Sequence, residues 1–271
     1  MDQFYIPAKK SNLSFYQAVP LYFQNNNKFI LYKPAGNKLD NIRIEQGRHP
    51  HKLFIKQSDE LKAIREVQNV YNQQLKKDIR SNDPKKAKKT LINIVEEAFS
   101  RPIAGSLEGL SATVNILVDE HTNGSNLIKN LLFVPQRNYT IALHCVNVLA
   151  LAIGFKGNEH FSSAERKILG LSALLHDVGK TKINPDILKA PKMLTDEEFK
   201  ELQTHTTIGH QLINKCKFAD PDIKMTALQH HERIDGSGYP NGLRRISRIA
   251  QIVGIIDCYE ALTNDDRPYR N

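Results

Sequence analysis

Near Ser58 this 271-residue chain changes from short runs of β-branched and aromatic residues to apolar residues three or four apart, and that change limits what it can fold into. Before it, VPLYFQ, KFILYK, NIRIE and KLFIKQ are separated by Asn25-Asn26-Asn27, Pro34-Ala35-Gly36 and Gly47. Such runs suit a pleated, half-buried surface, and Asn, Pro and Gly accept the backbone angles of turns, so residues 1–58 are expected to form a small β-rich module. After it, Leu61, Ile64, Val67, Val70, Tyr71, Leu75 and Ile79 follow the spacing that lines one face of a helix. The expected fold is mostly α: the β-rich module, a helical linker over 59–100 and an all-helical domain over 101–271.

Helix starts beyond the linker are marked by chemistry. Ser162-Ser163-Ala164-Glu165 opens RKILGLSALLHDVGK, and Thr195-Asp196-Glu197-Glu198 opens FKELQTHTTIGHQLI. Each is a Ser/Thr-x-x-Glu capping box, in which two side chains satisfy amide groups the first turn leaves without partners. Gly179 and then Asn184-Pro185 are expected to close the first of these helices.

Charge and composition exclude some classes of function. Lys and Arg exceed Asp and Glu by 8 over residues 1–100 and by 1 over 101–271, so the net charge of +9 belongs to the first third. Much of it is Lys85, Lys86, Lys88 and Lys89, read as a solvated linker or helix face, and no nucleic-acid polymer is expected as a partner. The longest apolar run, from Ile141, is short and carries His144 and Asn147, so no membrane span is expected. The start lacks the pattern of a secretory signal, and Cys145, Cys216 and Cys258 are far apart among apolar residues. Both points suggest buried thiols in a reducing cytoplasm.

Five histidines and two aspartates stand where ordinary packing would not place them. His144, His176, Asp177, His205, the pair His230-His231, and Asp257 all lie in or beside apolar helical text. A carboxylate there is costly to bury without a partner, and a divalent transition metal is a partner that both carboxylates and neutral imidazoles ligate. Neighbouring helical residues diverge by about 100°, so His230 and His231 are expected to serve different ions of a close pair. Asp177, with two oxygens, is the natural bridge, and ions about 3.5–4 Å apart can clamp the phosphoryl group of a phosphodiester.

Four stretches, LLHDVGK (174–180), HTTIGHQLI (205–213), HHERIDGSGYPNGL (230–243) and DCYEALTNDDRPYR (257–270), resemble the successive motifs of the HD-GYP family, phosphodiesterases of the HD superfamily that hydrolyse cyclic di-GMP. The resemblance covers residues 136 to 270. It implies that His144, His176, Asp177, His205, His230, His231 and Asp257 ligate two divalent ions, iron or manganese, with Asp177 as bridge. It implies that Lys180 contacts the scissile phosphate and assists proton transfer, and that Arg267 and Arg270 hold the substrate phosphates. Gly236, Gly238, Tyr239 and Pro240 match the GYP loop, which implies a stiff wall to the substrate site and a surface for diguanylate cyclase-type partners.

Some relatives carry a glutamate four residues before the first histidine for a third ion; Thr140 stands there in this chain, so two ions are expected. The segment after the loop is shorter than usual, TNDDRPYR holds one residue more, and relatives continue with further helices past the position of Asn271. A partner, a homodimer mate or the N-terminal module is expected to cover the surface those helices would hide. The implied reaction is hydrolysis of cyclic di-GMP to the linear dinucleotide and GMP. Two alternatives stay open: a cyclic di-GMP sensor or docking module without turnover, and a generic HD nucleotide phosphohydrolase.

Overall fold

The computed structural model describes residues 4–39, 50–124, 126–135, 139–154, 160–190, 192–217 and 220–264. The chain divides into two compact units, residues 1–73 and 74–271.

The first unit carries a four-stranded antiparallel sheet in the order β1-β4-β2-β3: β1 is Tyr5–Pro7, β2 Leu21–Asn25, β3 Lys28–Lys33 and β4 Phe54–Lys56. Strands β2 and β3 form a hairpin through Asn26 and Asn27, both at positive φ (44° and 62°), a conformation asparagine tolerates better than most side chains. β1 had no counterpart among the expected strands, because three residues are too few to show alternation. NIRIE lies outside the described residues. Leu13, Tyr16, Val19, Leu21, Leu53 and Val67 close this unit's core. There Lys33, 4% exposed, is satisfied by the carbonyls of Gln17, Pro34 and Asn37 at 3.3, 3.0 and 2.9 Å.

Helix α1 (Glu60–Arg80) contains the divide at Gln73/Gln74. It is followed by α2 (Pro84–Ser100), α3 (Ala104–Glu108), α4 (Leu110–Thr122), α5 (Leu127–Leu132), α6 (Ile141–Gly154) and α7 (Ser163–Leu175). A 3-10 turn (Val178–Lys182), α8 (Pro185–Leu188), α9 (Asp196–Gln203), α10 (His205–Asn214), α11 (Pro221–Gln229) and α12 (Arg248–Thr263) follow. Both capping boxes form, Ser162 on α7 and Thr195 on α9. Val148, Ala152, Leu169, Ala173, Val253 and Ile256 interlock α6, α7 and α12 in one core.

Four expectations are corrected. The helix opened at Ser162 ends at Leu175, before His176 and Asp177, rather than near Gly179. The text opened at Thr195 forms two helices that break at Thr204, which frees His205 to begin a new one. Lys88 is no solvated face residue: it is 3% exposed and donates to Val134 O at 2.9 Å, because its position on α2 follows the buried stripe of Ala87 and Leu91. Cys258 is exposed, while Cys145 and Cys216 are buried.

Candidate metal centre

The ends of helices bring the seven residues together. His144 sits in the first turn of α6, His176 caps the C-terminus of α7 with Asp177 next, His205 begins α10, His230 and His231 follow the last turn of α11, and Asp257 projects from α12. Helix termini leave backbone carbonyls and amides without helical partners. Carbonyls near these termini orient three of the rings, that of Thr226 while also accepting from His230 N. His176 Nδ1 donates to Ala173 O at 2.7 Å, His205 Nδ1 to Leu202 O at 2.6 Å and His230 Nδ1 to Thr226 O at 3.0 Å. His144 Nδ1 faces Glu260 Oε2 at 2.6 Å.

A carbonyl only accepts, so each nitrogen facing one carries the proton, and in the neutral ring the opposite Nε2 is a bare lone pair. The Nε2 atoms converge. His144 Nε2 and His176 Nε2 are 3.2 Å apart, and His205 Nε2 and His230 Nε2 are 3.3 Å apart. Asp177 lies between the two pairs: Oδ2 is 3.3 and 3.4 Å from His144 and His176, and Oδ1 is 3.3 and 3.7 Å from His205 and His230. Asp257 Oδ1 is 3.1 Å from His144 Nε2. Asp177 Oδ1 is buried and makes no hydrogen bond among the described residues. Facing lone pairs repel unless a cation or proton lies among them, and an orphaned buried carboxylate oxygen is costly, so the donor set fits a metal-dependent site.

Among the described residues, donor atoms within 4.8 Å of one another form three sets: Asp177, His205, His230 and His231; His144, His176 and Asp177; His176, His230 and Asp257. The charges follow from this crowding. Burial opposes charge on His144, but hydrogen bonds to Asp177, Asp257 and Glu260 outweigh it and lift its pKa to about 10. Burial, with Lys180 nearby, drives His205 down to about 3, and burial lowers His230 and His231 as well. Burial also opposes ionisation of Asp177, yet Lys180 and His176 overcome it and hold the carboxyl well below its usual range. The lone pairs of three rings are therefore held open near neutral pH while both aspartates remain anionic.

A family model for the HD domain matches residues 127–271, more than half of the chain and all of this cluster. The chain belongs to the HD-domain family. It is similar to a cyclic di-GMP phosphodiesterase of Pseudomonas aeruginosa (38% identity, covering 54% of this chain and 35% of the relative). It is also similar to a cyclic di-GMP phosphodiesterase of Thermotoga maritima (43%, covering 37% and 28%) and to a 3'3'-cGAMP-specific phosphodiesterase of Vibrio cholerae (36%, covering 40% and 24%). The chain thus spans about a third or less of the length of these relatives. A solved HDG"Y"P protein from Bdellovibrio bacteriovorus has the same fold, with TM-score 0.61 and 22% identity over 96% of this chain and 88% of that one. The HD-GYP resemblance read from the motifs is borne out by these matches.

Within the HD domain, Lys180 Nζ lies 2.5 Å from Asp177 Oδ2. A cavity of about 490 Å³ opens beside it, lined among others by Phe99, Tyr139, Thr140, Ile183 and Leu188. Thr140 is used as a cap, its hydroxyl accepting from Leu143 N at 3.1 Å. Tyr239 stacks on His231 with centroids 4.7 Å apart, and the Tyr239-Pro240 bond is cis. Gly179 allows the 3-10 turn to lie against the start of α10, since a Cβ there would fall 1.9 Å from His205 O. Arg267 and Arg270 lie outside the described residues.

Two arguments about the loop and the histidine pair are corrected. The divergence argument for His230 and His231 has no helix beneath it, because α11 ends at Gln229; their rings lie 4.1 Å apart and both fall in the set with Asp177 and His205, while His230 also falls in the set with His176 and Asp257. Gly238 is needed for space rather than for an unusual backbone angle: a Cβ would fall 2.4 Å from Arg233 N, whereas Gly236 takes φ +84°.

The motifs passed over Glu260 and Glu232. Glu260 stands three residues after Asp257 on the same face of α12, which is the signal that could have found it. Glu232, 3% exposed, accepts from Asn241 N and Leu243 N, both at 2.8 Å, and so fastens the loop that carries Tyr239. No local pattern announces that contact, which spans 9 and 11 residues.

Proposed function

We propose that this chain is a cytoplasmic, metal-dependent phosphodiesterase that opens cyclic di-GMP to the linear dinucleotide and then to GMP. The observation that carries the reading is Asp177, whose two oxygens each face a separate histidine pair. That arrangement supports a bridging carboxylate between two ions, with His144 and His176 on one side, His205, His230 and His231 on the other, and Asp257 completing the set. Divalent ions, iron or manganese, would supply an activated water and Lewis-acid stabilisation of phosphoryl oxygens.

The chain's own groups do the rest. Lys180, held against Asp177 and bordering the cavity, is placed to pair with the scissile phosphate and to return a proton to the departing 3' oxygen. Tyr239, packed on His231, walls one side of the site and excludes water from it. Arg267 and Arg270 hold the outer phosphates. The names of the similar proteins support a cyclic dinucleotide as substrate.

The test is chromatographic assay of Mn²⁺- or Fe²⁺-loaded protein with cyclic di-GMP and 3'3'-cGAMP, with His176→Ala alongside. Linear product from cyclic di-GMP, lost in the variant, supports the proposal. Binding of cyclic di-GMP without product in the loaded wild type would make the chain a sensor and overturn it.

A further inference from the structure

We propose that Glu260 is a positioning residue of the metal centre: clamped by Asn147 and Asn264, it fixes the proton on His144 Nδ1 and aims the ring's Nε2 at Asp177 and Asp257. This rests on the metal-site reading of the same cluster.

His144 differs from its neighbours in how it is held. His176, His205 and His230 are oriented by carbonyls of their own chain segments three or four residues earlier. Those contacts come with the local backbone. His144 is oriented instead by a side chain 116 residues away, with Glu260 Oε2 at 2.6 Å. The other oxygen, Oε1, accepts from Asn147 Nδ2 at 2.8 Å and from Asn264 Nδ2 at 2.7 Å. Glu260 is 3% exposed, and a buried carboxylate persists only when its lone pairs are met. With three donors fixed on it, the carboxylate has one position, and so does the ring.

The geometry of α12 gives this contact a second consequence. Asp257 and Glu260 stand one turn apart on one helix face and grip the two nitrogens of a single ring: Asp257 Oδ1 is 3.1 Å from Nε2, and Glu260 Oε2 is 2.6 Å from Nδ1. Any rotation of His144 that keeps one contact loses the other. A carboxylate on Nδ1–H also makes Nε2 a stronger donor than a carbonyl would, and losing such a partner typically costs about 10–100-fold in metal affinity.

The test is Mn²⁺ titration of metal-free wild type, Glu260→Gln and Asn147→Ala by calorimetry, together with the His144 Nδ1–H resonance of the Zn²⁺-loaded proteins. Glu260→Gln, with near-normal melting, is expected to weaken one of the two binding events about 10–100-fold, leave the other unchanged, and shift the His144 Nδ1–H resonance upfield as its carboxylate partner is lost. Asn147→Ala keeps the carboxylate and is expected to weaken the same event severalfold; if Glu260→Gln does not fold, this variant decides. Wild-type affinities in the folded variants, or an unchanged His144 Nδ1–H resonance, would overturn the proposal. Failure of the wild type to bind Mn²⁺ at all would instead refute the metal-site reading on which it rests.

Discussion

Replacing Gly179 with alanine tests how the centre is assembled. The added methyl would stand 1.9 Å from His205 O and 2.7 Å from Gly209 N, where ordinary contact begins at 3.4 Å. The 3-10 turn and the start of α10 must therefore separate by the difference, about 1.5 Å. The atoms in the way are backbone, so no side-chain rotation relieves them. Overpacking of this kind costs on the order of 3 kcal/mol. The same movement would carry His205 Nε2, now 3.3 Å from Asp177 Oδ1, out of the donor set. A misplacement near 1 Å costs on the order of 100-fold in rate.

Gly209→Ala is the control. Its methyl would meet Gly179 N at 3.4 Å and Ala227 Cβ at 3.6 Å, both ordinary contacts, and helix propensity favours the change by up to about 1 kcal/mol. Thermal melting, Mn²⁺ binding and hydrolysis of cyclic di-GMP would be measured on both. Gly179→Ala is expected to melt lower and to lose affinity and rate, and Gly209→Ala to match or exceed the wild type. Equal behaviour of the two variants would refute the close-approach argument.

Three further outcomes follow from other contacts. Glu232→Ala removes the acceptor for Asn241 N and Leu243 N, with an expected loss of about 3 kcal/mol in denaturant unfolding and faster proteolysis after Arg233. Lys88 is held at a pKa of about 8, chiefly by burial, so its charge burdens the folded chain below pH 8, and the burden lifts as pH rises toward 10.5. Wild-type stability should therefore gain on Lys88→Met by about 2 kcal/mol between those limits, allowing for solvent screening, and a flat difference across that range would contradict it. Ser162→Ala breaks the capping box of α7 and should lower the melting temperature by about 2–4 °C while leaving Mn²⁺ affinity unchanged.

The parts of this fold legible in the sequence are those written locally. Capping boxes at Ser162 and Thr195, the stripe from Leu61 to Ile79 and the Asn-Asn hairpin each rest on residues within one or two turns of one another. The seven His and Asp residues were legible for a different reason, since buried ionisable groups in apolar text need a common explanation, and they do meet in space. What local text could not show was where helices stop at the centre. His176, Asp177, His205 and His230 all stand at helix ends, and the breaks after Leu175, at Thr204 and after Gln229 are imposed by packing that no Gly or Pro marks. Lys88, Glu232 and Glu260 escaped notice because their partners lie 46, 9 to 11 and 116 residues away.

The central claim is that one buried carboxylate joins two ion sites that act together on a phosphodiester. Stepwise addition of Mn²⁺ to metal-free protein, with the rate of cyclic di-GMP cleavage read at each step, tests it most directly. Cleavage that stays near zero through the first equivalent and rises with the second is the predicted result. Full activity at one equivalent, or activity that persists without metal, would contradict it.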